Sequence, residues 1–169
     1  MEAFRGVALI GATITTGLIA GLFYAFSCAV MPGLRRTDDR TFVGAMQWIN
    51  VRILNGWFAL GFAGSLLLTV LAGALHLVGD APDAPLPWIA GAAALYVLAL
   101  VITFGVSIPL NDALDAAGDP GAASASALAD VRERFEEQWV RWNIVRAVVS
   151  TGALGCLVWA LVLYGRATP

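Results

Sequence analysis

Between residues 139 and 146 the chain reads Trp139-Val140-Arg141-Trp142-Asn143-Ile144-Val145-Arg146. On a helix, Trp139, Trp142, Asn143 and Arg146 stand at i, i+3, i+4 and i+7 and share one face. Glu136 extends that face by nearly a turn. After Arg146 come 19 residues without a charge, Ala147 to Gly165, and then Arg166. Two indoles, an amide and a guanidinium are thus stacked where a helix begins a long apolar run. Indoles stack on a flat organic ring, an amide hydrogen-bonds its oxygens, and a guanidinium stabilises negative charge developing on them.

Similar groups recur at the edges of other apolar runs. Tyr24, Ser27, Cys28 and Met31 form a polar stripe near the end of the first run. Gln47, Asn50, Arg52 and Asn55 decorate the start of the second, and Asn111 and Asp112 close the third. Polar side chains at such positions cost free energy unless they are paired, so they form either a structural network or the wall of a ligand cavity. The residue types that are missing narrow the chemistry. The chain has one histidine, His76, at a membrane edge, and two cysteines, Cys28 and Cys156, in different runs. Haem with histidine ligation, a di-iron carboxylate centre and a nucleotide site all lack their usual ligands, and no metal site is expected.

The elements that must position these groups follow from composition. The chain is 59% hydrophobic and 13% charged, about half the charge of a soluble domain. Gly6–Leu34, Ile53–Leu75, Ala84–Asn111 and Ala147–Gly165 carry no charged residue, and each approaches or exceeds the roughly 20 residues that span a bilayer. The reading is all-α: a four-helix transmembrane bundle in one integral membrane domain, residues 1–169, with spans near 6–31, 53–76, 87–109 and 146–165. Helix one is expected to end at Pro32-Gly33 and helix three at Pro109, where proline breaks the helix. Apolar spacing from Phe42 predicts that helix two starts before the membrane and runs on into it. Helix four likewise extends beyond the membrane, from about residue 127. Asp38 or Thr37 is a cap for the segment after the first turn, and Ser126 a cap for the last helix.

All ten basic residues are arginines. Eight lie on the side that carries the polar groups, against Arg5 and Arg166 on the other, which predicts both termini on the non-cytoplasmic side. The membrane expected is the inner (plasma) membrane of a bacterium. A net charge of −2 gives no argument for nucleic acid. Membrane lipid is an expected partner, and homo-oligomerisation is left open.

Taken in order, Phe26-Ser27-Cys28-Ala29-Val30-Met31-Pro32-Gly33-Leu34, Met46-Gln47-Trp48-Ile49-Asn50 with Leu54-Asn55-Gly56-Trp57-Phe58, Pro109-Leu110-Asn111-Asp112-Ala113-Leu114 and the motif at 139–146 resemble the anthrone oxygenase-like family of small four-helix membrane proteins. The match runs from about residue 17. One departure stands out: Leu-Asn-Gly-Trp replaces the family's Leu-Asn-Pro-Trp, losing a helix-breaking residue at a bend. The resemblance implies a membrane-embedded oxygenase whose partners are a hydrophobic phenolic, anthrone-like or quinol-like substrate and dioxygen. No cofactor is implied, because an anthrone that loses a proton becomes an anion able to pass an electron to dioxygen directly. Arg146 would then stabilise the anion, assisted by Asn143 and Asn111. Trp139 and Trp142 would stack on the ring, and Asn50, Gln47, Asn55, Tyr24 and Arg52 would complete the pocket. The base is Asp112 or Glu136, either of which is alternatively an ion-pair partner of Arg146. A non-catalytic membrane protein that binds a lipid or quinone, or serves as a partner subunit, is the other reading.

Overall fold

A computed structural model of the chain describes residues 1–79 and 81–167. Five continuous helices make up most of the described chain: α1 Glu2–Leu34, α2 Asp39–Ile53, α3 Gly56–His76, α4 Leu86–Asp115 and α5 Ala125–Ala167. All but α2 are long and apolar enough to cross a membrane, so this is an integral membrane protein. At about 1.5 Å per residue, the 43 residues of α5 measure roughly 64 Å, twice a hydrocarbon layer.

That length lets α5 join two separate cores. Within the apolar spans, Leu9, Ala12 and Phe23 of α1 pack with Tyr96 of α4 and Ala153, Leu157 and Ala160 of α5. Beyond the spans, Met31 of α1, Phe42, Val43 and Met46 of α2, and Leu114 of α4 pack on Leu128, Phe135 and Trp139 of α5. The polar pair Asn143 and Arg146 lies on the stretch of α5 between the two. The outer core is tied by charge as well. Arg132 bridges Asp39 at 3.0 Å and Glu136 at 2.7 Å, and Glu136 also binds Arg35 at 2.8 Å.

The chain passes through both prolines that were expected to end helices. In α1, Phe26–Val30 is a π-helical segment followed by Pro32; in α4, Thr103–Ser107 is another, followed by Pro109. A proline cannot donate to the preceding turn, and its ring presses on the carbonyl four residues back. Widening that turn accommodates the ring and lets the helix continue. Met31 and Ile108, each just ahead of a proline, donate to the carbonyls of Phe26 and Thr103, five residues back.

Helix two is where the expectation fails. The segment from Phe42 does not run into the membrane: it stops at Ile53, and Asn55 starts a new helix. Asn55 Oδ1 accepts from the backbone N–H groups of Trp57 and Phe58 at 3.0 and 3.1 Å, an N-cap that satisfies two free donors. The bend survives without the proline because the cap, one residue earlier, sets it. Asp38 caps α2, with Thr41 donating to it at 3.0 Å. Those Thr41 hydrogen bonds hold the Asp38 carboxyl below its ordinary pKa. For α5 the cap is Ser124, not Ser126. His76 is buried, not solvated; its Nδ1 meets the Ala72 carbonyl at 2.7 Å and its ring packs edge-on against Tyr164.

Candidate functional site

Where the spans meet the outer core there is a cavity of about 720 Å³ with walls from α1, α2, α3, α4 and α5. Its lining is largely aromatic and aliphatic, including Phe23 and Phe26 of α1, Phe58 and Phe62 of α3 and Phe104 of α4. Helix α5 contributes Trp139, Asn143 and Arg146, which at i, i+4 and i+7 form one inward stripe.

Arg146 is 6% exposed, and no carboxylate pairs with it among the described ion pairs. Its Nη2 donates to Asn143 Oδ1 at 2.9 Å, and its Nη1 makes a long 3.4 Å contact with Thr103 Oγ1. The guanidinium carbon sits 4.3 Å from the Phe23 ring centroid and 5.5 Å from that of Trp139. Nε is buried without a protein acceptor. Taking a guanidinium out of water costs several kcal/mol even after relaxation, and the usual compensation is a buried anion. Here two aromatic faces and two neutral oxygens stand in its place, which leaves the positive charge available to the cavity.

The neighbours are held in turn. Asn143 Nδ2 donates to the Phe23 carbonyl at 2.9 Å and to Ser27 Oγ at 2.8 Å, so the amide oxygen is turned to Arg146. Trp139 Nε1 donates to Asn111 Oδ1 at 2.9 Å. Its ring leans on Phe26 at 5.5 Å and stacks on Phe135 at 6.0 Å. Asn50 lines the cavity and carries a second buried N–H, on Nδ2, with no protein acceptor. Asp112 and Asp115 line it too, and both are exposed.

Seven of the residues expected from sequence therefore come together on one cavity: Arg146, Asn143, Asn111, Asp112, Trp139, Asn50 and Asn55. Four do not. Trp142 is half-buried and off the wall, because about 100° per residue sets it some 60° round the helix from Trp139. Gln47 spends its amide tethering α2 to the carbonyls of Leu114 and Gly118, both at 3.0 Å. Arg52 is exposed and lies 5.9 Å over the Trp48 ring. Tyr24 is 63% exposed on the outside of α1. The stripe assigned to it divides because the π segment changes the winding: Ser27 and Met31 stay inward while Tyr24 and Cys28 face out. Glu136 is likewise remote from the cavity, engaged with Arg132 and Arg35. It neither pairs with Arg146 nor lines the cavity.

Thr103, Ser107 and Asp115 belong to the wall but were not expected there. Their spacing with Asn111 gives the signal: 103, 107, 111 and 115 recur every four residues on α4, a face that shows only if the helix is read through Pro109.

Among the described residues no group of three or more His, Cys, Asp or Glu side chains is placed to hold a metal ion. What the fold and the wall define is a four-helix integral membrane protein with an aromatic cavity gathered around one buried guanidinium. Residues 55–156, well over half the chain, match the family model described as anthrone oxygenase, and the chain belongs to that family. The matched stretch is narrower than the resemblance drawn from residue 17 onward; it holds α3, α4 and the polar stripe of α5, and leaves out α1 and α2. No curated protein and no solved structure matches the chain.

Proposed function

We propose that this protein is a membrane-embedded, cofactor-independent oxygenase that oxidises a hydrophobic anthrone-like or quinol-like phenol with dioxygen. The observation that carries the reading is Arg146: a buried guanidinium with no paired carboxylate among the described residues, lining an aromatic cavity that a second donor, Asn50, also lines. Such a site favours a flat ligand whose oxygen becomes negative during reaction. The family membership supports the same class of chemistry.

In the anthrone case the ring methylene loses a proton, and the anion's charge settles on the carbonyl oxygen beside Arg146. One electron passes to dioxygen, and the ring radical and superoxide combine into a peroxide. Loss of water then leaves a second carbonyl, so one dioxygen yields one quinone and one water. Asp112 is the carboxylate proposed to take the first proton. Asn143 fixes the guanidinium, and the phenyl rings and Trp139 hold the substrate and exclude water.

We place the cavity at the cytoplasmic side and both termini on the other, in the inner membrane of a bacterium. The test is to supply purified protein in lipid with anthrone and dioxygen, and to follow quinone absorbance and oxygen uptake together. Equal rates of both, well above the protein-free autoxidation, are expected. A second reading, a non-catalytic carrier of a lipid or quinone, draws on the exposure of both carboxylates at the cavity, which leaves no buried base. That reading gives saturable binding with no oxygen uptake.

A further inference from the structure

We propose that the cavity fills from the lipid phase, through the elbow between α2 and α3, with Gly56 at the opening. The inference rests on the reading that the cavity takes a small hydrophobic molecule; it does not depend on what is done to that molecule.

The elbow is both wall and surface. Asn50, Val51, Leu54 and Gly56 line the cavity, yet Leu54 is 78% exposed and its neighbour Trp57 85%. At this point Leu54 borders the cavity and the outside at once. The elbow is also unbraced. Helix α2 is pinned through its first half, where Phe42, Val43 and Met46 are fully buried and Gln47 holds the end of α4. Beyond that, among the described residues the Asn55 side chain hydrogen-bonds within the elbow alone, to Trp57, Phe58 and Arg52. Local bonding of this kind fixes the shape of a turn without fixing it to its neighbours.

Gly56 leaves a gap in this wall. A Cβ built there meets nothing within 4 Å. Its φ is not positive, so the backbone does not require glycine. What glycine supplies here is empty space.

The outer face of the elbow has the chemistry of a bilayer–water boundary. Trp48, Leu54 and Trp57 are exposed beside Arg52, whose guanidinium stacks on Trp48. Tryptophan with a neighbouring cation is the composition found at headgroup depth. The exposed carboxylates Asp112 and Asp115 line another stretch of the wall, which suits water and protons better than an apolar ring. A ring that water rejects concentrates in lipid, and the elbow, like Phe104 of α4, is a part of the wall that meets it.

The test uses full-length protein in phosphatidylcholine nanodiscs and anthracene, a tricyclic ring with no oxygen, followed by saturable energy transfer from tryptophan. Gly56→Trp should slow association and dissociation together by about ten-fold, leaving Kd nearly unchanged, because a plug in a passage acts on rates in both directions. Gly56→Leu should give a smaller slowing of both and serves if the tryptophan variant does not fold. Gly155→Trp adds the same bulk at an exposed glycine with equally free space, away from the cavity, and should keep wild-type rates. Wild-type rates in folded Gly56→Trp and Gly56→Leu would overturn the proposal. So would a raised Kd with faster dissociation, which means a blocked site. Anthracene that binds as predicted while anthrone is not oxidised would remove the oxygenase and leave the route.

Discussion

Asn143 and Arg146 share one hydrogen bond, at 2.9 Å, and each reaches a different π-helical segment. Asn143 reaches Ser27, within Phe26–Val30 of α1, and Arg146 reaches Thr103, the first residue of Thr103–Ser107 in α4. The prolines that force those wide turns therefore act on the site: each turn meets α5 at the level of the polar pair. A helix interrupted there would have lost the partner that fixes one of the two side chains.

Trp139→Phe keeps an aromatic ring near Phe26, Phe135 and the guanidinium but removes the N–H that holds Asn111. Unfolding in detergent should show a loss of about 1 kcal/mol. kcat should fall more than KM rises, because the ring that holds substrate is retained while Asn111, which assists Arg146, is freed.

Glu136 and Asp112 should separate cleanly. Glu136→Gln weakens its pairs with Arg132 and Arg35 and should cost about 1–2 kcal/mol of stability, hydrogen bonds to charged groups being the stronger kind. Its turnover should stay near wild type. Asp112→Asn should fold normally and lose on the order of 10²-fold in turnover, the lower range for a general base. Equal losses in both variants would remove Asp112 from the role proposed for it.

Gly56 is the first residue of α3, directly after its Asn55 cap. That position suits proline, since its N–H has no helical acceptor and the fixed φ is already helical. Gly56→Pro should raise stability by about 0.4–1 kcal/mol through the unfolded chain. A drop in melting temperature would mean that the elbow needs a backbone freedom that the cap does not reveal.

A reporter fused after Arg166 tests the placement of the termini. Activity of a periplasm-dependent reporter, and none of a cytoplasm-dependent one, is expected from the arginine asymmetry. The opposite pattern would put the cavity on the other side of the membrane.

The spans and the polar stripe of α5 were legible in the sequence because uncharged runs and helical spacing survive any packing. What escaped depended on how irregular turns end or continue a helix. Pro32 and Pro109 read as breaks, since a widened turn leaves no mark in composition; that reading cut Asn111 off from Thr103 and Ser107. Asn55 read as a polar group on a helix running on into the second apolar run, whereas it caps a new one. Gln47 and Arg52 had the right chemistry at the right depth, but the packing of α2 sets one on the carbonyls of Leu114 and Gly118 and leaves the other facing outward. Sequence left two roles open for Glu136, proton acceptor or partner of Arg146; its nearest cations proved to be Arg132 and Arg35.

Turnover of Arg146→Leu tests the account most directly. Among the described residues no carboxylate is paired with Arg146, so removing it strands no buried anion there, and the variant should insert and unfold like wild type. Its anthrone oxidation should fall on the order of 10²–10³-fold, the usual loss when a donor to a developing oxyanion is removed. Arg146→Lys should be equally folded and recover little activity, because lysine keeps the charge and loses the planar fork that Asn143 and Thr103 engage. A folded Arg146→Leu protein that oxidises anthrone at the wild-type rate would contradict the assignment of the site.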